Sequence, residues 1–188
     1  DDEDSTLLRY LKASPEIFAA IAASSASELS SQRKLREAFD EALVRAALSV
    51  HDARQRAVKL LPNANKLWLT RVGLEQSTSW QVATHKAERF LACDHVFDLC
   101  SGIGVDAAAI AEKTTVTAID SAPAMCLRTQ WNAEIWHRAD RLQTQCADVT
   151  NIDWTGKIVH VDPDRRSGRD RPTKRLEFYQ PNLEWMQQ

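Results

Sequence analysis

Asp98-Leu99-Cys100-Ser101-Gly102-Ile103-Gly104-Val105-Asp106 joins a short apolar run to an alanine-rich segment at residues 107–111. Glycines at the end of a strand allow the backbone to pass close to a ligand, and the N-terminus of a following helix offers it free N–H groups. A tight strand-to-helix turn explains the same Gly-x-Gly about as well. The stretch therefore predicts a strand, a turn and a helix, and the flanking sequence must indicate whether the turn binds anything.

Short β-rich runs alternate with helical segments after this point. The runs lie near residues 95–100, 115–119, 142–146 and 158–161, and Pro123 opens a helix that extends to about His137. Alternation at this spacing is typical of a parallel α/β sheet. We therefore expect residues 93–188 to form a Rossmann-like, ligand-binding domain.

Residues 1–92 predict an all-helical N-terminal domain. Ser14-Pro15 supplies an N-cap and a proline at the first helical position. Apolar residues recur at steps of three or four from Leu35 to Leu61, which predicts one long amphipathic helix. A serine or threonine within 77–79 can cap a further helix that runs to about Phe90.

Composition excludes few functions. The 24 basic and 26 acidic residues give a formal charge of −2, which neither indicates nor excludes a nucleic-acid partner. The longest apolar stretch is far shorter than the roughly 20 residues of a membrane span. We also expect no signal peptide, because the sequence does not open with a basic stretch followed by an apolar one. We expect a cytoplasmic protein with free thiols and no metal site, because the cysteines form no CxxC pair and lack histidines at zinc-finger spacing. They are Cys93, Cys100, Cys126 and Cys146.

Acidic residues close three successive strands of the predicted sheet. Asp98 ends the first strand, Asp120 ends the second, and Asp148 follows the third. In doubly wound sheets an acid at the position of Asp120 reaches the ribose hydroxyls of an adenosine ligand, and one at Asp148 can accept a hydrogen bond from the adenine amino group. Any single one of them could merely cap a turn, but three in succession favour a binding site.

The loop chemistry favours S-adenosylmethionine over a dinucleotide. A pyrophosphate-binding loop reads Gly-x-Gly-x-x-Gly, whereas Ala107 stands in the place of the third glycine and Asp106 would repel phosphate. S-adenosylmethionine has no phosphate, and it carries a sulfonium cation and an amino group that suit an acidic loop. A dinucleotide-dependent oxidoreductase therefore ranks last.

The fourth predicted strand ends at Asp162-Pro163, which places this dipeptide at the carboxyl edge of the sheet, beside the transferable methyl group. His160 in the same strand is isolated in the sequence, as are His85 and His95, so none is predicted to act as a general base or a metal ligand.

The combined motifs FDLCSGIGVD, VTAIDSAP, WNAE, CADV and VHVDP resemble class I methyltransferases, especially the trimethylguanosine-synthase-like RNA group, which also lacks the first loop glycine that Cys100 replaces. The nearer resemblance is to bacterial methyltransferases with a THUMP-like C-terminal domain. It is carried by LTRVGLEQST at 69–78, VATHKAERF at 82–90 and DPDRR at 162–166, and it covers roughly residues 50–185.

The resemblance implies a role for each matching position. Asp98, Gly102 and Gly104 would line the methionine end of the cofactor, together with Cys100 and Asp106 of the same loop. Asp120 would bind the ribose and Asp148 the adenine, while Asp162 and Pro163 would face the substrate as the catalytic pair. Arg165, Arg166 and Arg169 would bind substrate phosphate, because the arginine fork matches phosphate oxygens.

The same resemblance implies a sheet of about seven strands, so the chain is expected to be truncated after the fourth. RNA is the expected substrate. However, base-methylating relatives follow Asp-Pro with a second proline and an aromatic residue that stacks on the flipped base, whereas this chain has Asp164 and Arg165 there. A catalytically silent RNA-binding module and a small-molecule methyltransferase therefore stay open as alternatives.

Overall fold

A computed structural model describes residues 2–23, 34–163 and 181–186. Arg165, Arg166 and Arg169 lie outside the described residues. None of the helices in those ranges is both long and apolar enough to cross a membrane.

The described part of the N-terminal region is helical, as predicted. Its helices are α1 (Glu3–Ala13), α2 (Glu16–Ala23), α3 (34–38), α4 (Glu41–Ala57), α5 (Arg71–Gln76) and α6 (Trp80–Ala87). The prediction of one long helix from Leu35 to Leu61 is wrong, because the helix breaks at Asp40. The Asp40 carboxylate accepts hydrogen bonds from the backbone N–H groups of Ala42 and Leu43 and so caps α4.

Four parallel strands follow at the predicted positions, in the spatial order β3-β2-β1-β4. They are β1 (His95–Leu99), β2 (Thr115–Asp120), β3 (Leu142–Cys146) and β4 (Val159–Val161). Helix α7 (Val105–Ile110) joins β1 to β2, α8 (Pro123–Ile135) joins β2 to β3, and α9 (Leu183–Met186) lies near the end of the chain. Because the strands are parallel, their carboxyl ends all meet at one edge.

The helical region and the sheet share one hydrophobic core. Ala83 and Ala87 of α6 pack in the same buried cluster as Ala107, Ala108 and Ala111 in and just after α7. Small side chains at a helix contact allow the two axes to come close together. The division of the chain at residue 92 stays a prediction, whereas the packing across it is extensive.

Asn132 of α8 links three parts of this core. Its Oδ1 accepts a hydrogen bond from the Trp68 N–H at 2.7 Å, and its Nδ2 donates to the carbonyls of Trp68 and Ile103 at 3.3 and 3.0 Å. Asn132 is fully buried. The side chain therefore satisfies backbone groups of the helical region and of the glycine loop at once.

Replacing Asn132 by alanine is expected to lower the free energy of unfolding by about 3 kcal/mol, because buried backbone groups lose their partners. Urea unfolding measures the loss. Asn65→Ala, at an exposed position, serves as the control and should change stability by less than about 0.5 kcal/mol. Equal effects of the two substitutions would contradict this account of the core.

Candidate active site

A cleft of about 970 Å3 lies at the carboxyl edge of the sheet, within the ~300–1,000 Å3 typical of small-molecule sites. Most of the predicted site residues line it: Asp98, Cys100, Gly102, Asp106, Asp120, Asp148, Asp162 and Pro163. Gly104 is not part of this lining. It faces Thr129 instead, and a Cβ added to it would lie 2.7 Å from the Thr129 Cγ2.

The glycine loop adopts left-handed backbone conformations. The φ angle is 62° at Cys100, 55° at Gly102 and 81° at Gly104. A Cβ added to Gly102 would meet nothing within 4 Å, so a ligand can approach its backbone. Cys100 lacks the freedom of glycine, and such a conformation costs a non-glycine residue about 1–2 kcal/mol. The loop thus keeps a strained residue where its chain enters the cleft.

Asp98 forms a buried pair with His160. The two residues are partners in the register of β1 and β4, and His160 Nδ1 lies 2.7 Å from Asp98 Oδ1. Asp98 is 2% exposed, and its Oδ2 is buried with no hydrogen-bond partner among the described residues. The interpretation of His160 as an isolated histidine is therefore wrong, since its partner stands 62 residues earlier in the chain.

The electrostatics of this pair favour retention of its proton. Burial raises the pKa of Asp98 above its ordinary value, although the hydrogen bond from His160 opposes that shift. Burial alone would lower the pKa of His160, but the hydrogen bond to Asp98 and the charges of Asp98 and Asp106 raise it. The pKa values of both residues are therefore raised, so each of them keeps its proton to a higher pH than it would as an isolated group.

Asp106, at the start of α7, is engaged by two side chains of the helical region. The Thr78 hydroxyl donates to Asp106 Oδ2 at 2.9 Å, and Lys86 Nζ lies at the same distance from that oxygen. Lys86 Nζ is also 3.6 Å from Asp162 Oδ2. Two predicted site residues, one at the loop and one at the end of β4, therefore share one lysine that sequence reasoning did not identify.

Asp120 and Asp148 each hold the backbone of a cleft loop. Asp120 accepts hydrogen bonds from the N–H groups of Gly102 and Ala122, both at 2.9 Å. Asp148 Oδ1 accepts from both the hydroxyl and the N–H of Thr150, and these bonds lower the pKa of Asp148. Asp148 therefore caps a turn, as an aspartate after a strand can do, and it also lines the cleft.

Two further walls of the cleft come from the helical region and from the last described helix. Val72, Gly73, Gln76, Ser77 and Thr78 line it from α5 and the segment that follows. Trp185 of α9 also lines it, half-buried against a cluster that includes Ile119 and Val149. Within the described ranges, no group of three His, Cys, Asp or Glu side chains could hold a metal ion.

No protein-family model and no curated protein matches the sequence. Among solved structures, the chain is similar to one from Porphyromonas gingivalis W83, provisionally named a methyltransferase, with 18% identity and a TM-score of 0.61 over 96% of this chain and 44% of that chain. An RNA methyltransferase from Salinibacter ruber in complex with S-adenosyl-L-homocysteine gives 20% identity and a TM-score of 0.38 over 44% of this chain and 55% of that one. An O-methyltransferase from Bacillus cereus in complex with S-adenosylhomocysteine has 11% identity and a TM-score of 0.43 over 65% of this chain and 64% of that chain.

The likeness to the Porphyromonas structure establishes the fold. The described chain has a four-stranded parallel sheet with flanking helices and a helical N-terminal region. This arrangement matches the Rossmann-like methyltransferase fold over almost the whole length of this chain. The predicted fold class is thereby confirmed. The chain spans less than two thirds of the length of each of these three structures.

Replacing Asp98 by asparagine is expected to lower the pKa of His160, because burial then acts without the opposing charge of the Asp98 carboxylate. An NMR titration of the imidazole signals measures the shift. The four other histidines in the same spectra serve as internal controls. An unchanged His160 titration would show that the pair is not coupled.

Proposed function

We propose that this chain is the cofactor-binding part of an S-adenosylmethionine-dependent methyltransferase whose substrate is RNA. The observation that carries the proposal is the shared cleft: Asp98, Asp120 and Asp148, from three successive strand ends, all line one cavity. Had these carboxylates faced different sides of the molecule, no single nucleoside ligand could contact them all.

The methionine end of the cofactor fits the region of Asp98. A buried carboxylate oxygen without a protein partner is costly unless a ligand supplies a donor. Asp98 Oδ2, near the end of β1, is such an oxygen, and Asp106 Oδ1, at the start of α7, is a second one. An ammonium group satisfies both a charge and a hydrogen bond, as the cofactor's amino group would. His160 then orients the Asp98 carboxylate toward the ligand.

The nucleoside end fits the region of Asp120 and Asp148. Asp120 is fixed by backbone N–H groups on either side, which pre-orients its carboxylate for ribose hydroxyls. At Asp148 both bonds from Thr150 go to Oδ1, so Oδ2 is the oxygen that would accept from the adenine amino group. Val149 and Trp185 provide apolar surface for the flat purine beside it.

The bound cofactor supplies an electrophilic methyl group, and the chain's own contribution is mainly to place the nucleophile. Asp162 and Pro163 line the same cleft at the end of β4. Asp162 has 41% of its side chain exposed, so a substrate can reach it, and Lys86 holds its carboxylate. In this proposal Asp162 orients the nucleophile or accepts its proton, and proximity provides most of the rate enhancement.

RNA is favoured by the resemblance to the trimethylguanosine-synthase-like and THUMP-like methyltransferases and by the arginines of the segment that follows, Arg165, Arg166 and Arg169. A small-molecule substrate is the second candidate. It is supported by the acidic character of the cleft, because Asp98, Asp106, Asp120, Asp148 and Asp162 would together repel a phosphate backbone.

Calorimetry should detect micromolar binding of S-adenosylhomocysteine, and Asp148→Asn should weaken it by about tenfold. Asparagine caps a turn as well as aspartate does, but its single carbonyl oxygen cannot serve both Thr150 and the adenine. Asp153→Asn is the matched control, since Asp153 caps the turn at Thr155 in the same way and does not line the cleft. Absence of binding to the wild-type protein would refute the proposal.

The substrate is tested by incubating the whole natural protein with a labelled methyl donor and total RNA from a strain that lacks the gene, followed by nucleoside mass spectrometry. A labelled nucleoside that disappears with Asp162→Ala supports the RNA assignment. Salt-sensitive RNA binding without any transfer would instead indicate a catalytically silent module. Cofactor binding with neither RNA affinity nor transfer would favour the small-molecule alternative.

A further inference from the structure

Lys86 connects the helical region to the acidic wall of the cleft. Its ammonium lies 2.9 Å from Asp106 Oδ2, 3.0 Å from the Thr78 hydroxyl and 3.6 Å from Asp162 Oδ2. Asp106 and Asp162 both line the cleft, whereas Lys86 stands behind them with 20% of its side chain exposed. One positive charge thus lies between two carboxylates that face the ligand.

Helix packing fixes this position. Lys86 belongs to α6, whose Ala83 and Ala87 are fully buried in the cluster that contains the alanines of α7. With α6 held this close to α7, Lys86 reaches the first turn of α7, where Asp106 stands. The side chain is partly withdrawn from water, so its charge is screened less than a surface charge would be.

We propose that Lys86 is a positioning residue that holds Asp106 and Asp162 together and sets how strongly the cleft prefers a cationic ligand to a neutral one. The inference rests on the proposed function, because it concerns the cofactor and its product. S-adenosylmethionine carries a sulfonium where S-adenosylhomocysteine carries a neutral thioether, and the two molecules are otherwise alike except for the methyl group.

The sign of the effect follows from Coulomb's law. The Lys86 ammonium repels the sulfonium and offsets the attraction of the two carboxylates, whereas it acts on the neutral thioether far less. Removing this charge should therefore strengthen binding of the methyl donor relative to the product. General damage to the cleft would weaken both ligands together and leave the ratio of their affinities unchanged.

The test measures the dissociation constants of both ligands by calorimetry on wild type, Lys86→Met and Lys86→Arg. We expect Lys86→Met to shift the affinity ratio toward S-adenosylmethionine by about three- to tenfold, a change that Coulomb interactions at moderate effective dielectric can produce. Lys86→Arg keeps the charge and should keep the wild-type ratio. If Lys86→Met does not fold, Lys86→Gln removes the same charge and retains a hydrogen-bond donor.

Lys113→Met is the control for loss of a lysine charge away from the cleft. It removes a lysine of similar exposure, 21% of the side chain, that pairs with Glu88 at 2.8 Å just before β2 begins, at the edge opposite the cleft. This variant should leave the affinity ratio unchanged.

The outcomes are distinguishable. A wild-type protein that binds neither ligand overturns the proposed function and this inference with it. A wild type that binds both, combined with a charge-removing variant at Lys86 that leaves the ratio unchanged or shifts it toward S-adenosylhomocysteine, overturns the role of Lys86 alone.

Discussion

The gathering of acidic side chains at one edge of the sheet is the constraint on which the rest of the site depends. Parallel pairing brings the ends of β1, β2, β3 and β4 together, and acidic residues stand at or just after those ends. Asp98 is moreover buried, and an ionised carboxylate in that environment is strongly destabilising unless it is paired. His160 from the neighbouring strand and Lys86 from the helical region provide the compensating groups. The Asp98 Oδ2 and the Asp106 Oδ1 have no hydrogen-bond partner among the described residues. In the proposed function, a cationic group of the ligand pairs with them.

The helical region contributes directly to the cleft and to the loops that shape it. A Cβ added to Gly73 of α5 would lie 2.7 Å from Ile103 of the glycine loop, so the two segments are in close contact. Asn132 ties that same loop to the backbone at Trp68, and Lys86 reaches its acidic end. The conformation of the loop, and with it the shape of the cleft, therefore depends on helices that precede the sheet in the chain.

The sequence pattern predicted the strands and helices of the sheet well, because a few neighbouring residues determine each of these elements. Apolar β-rich runs, the glycines of the loop and Pro123 at the start of α8 each fix an element within a few residues. The shared location of Asp98, Asp120 and Asp148 followed from parallel pairing alone. The pair of Asp98 with His160 was missed because the two residues stand 62 positions apart, and only the pairing and register of β4 with β1 bring them together. Lys86 was missed for a related reason, since only the packing of α6 on α7 brings it to Asp106. The break at Asp40 was not predicted because the apolar periodicity continues across it, although an aspartate before Glu41-Ala42 is an ordinary N-cap.

In the proposed function, one nucleoside ligand is held by carboxylates from consecutive strand ends. A crystal structure of the protein grown with S-adenosylhomocysteine tests it most directly. We expect ligand density in this cleft, with the amino group within hydrogen-bond distance of Asp98, the ribose hydroxyls at Asp120 and the adenine amino group at Asp148. Ordered ligand at a different site, or a ligand in the cleft whose ribose and adenine contact neither Asp120 nor Asp148, would contradict it.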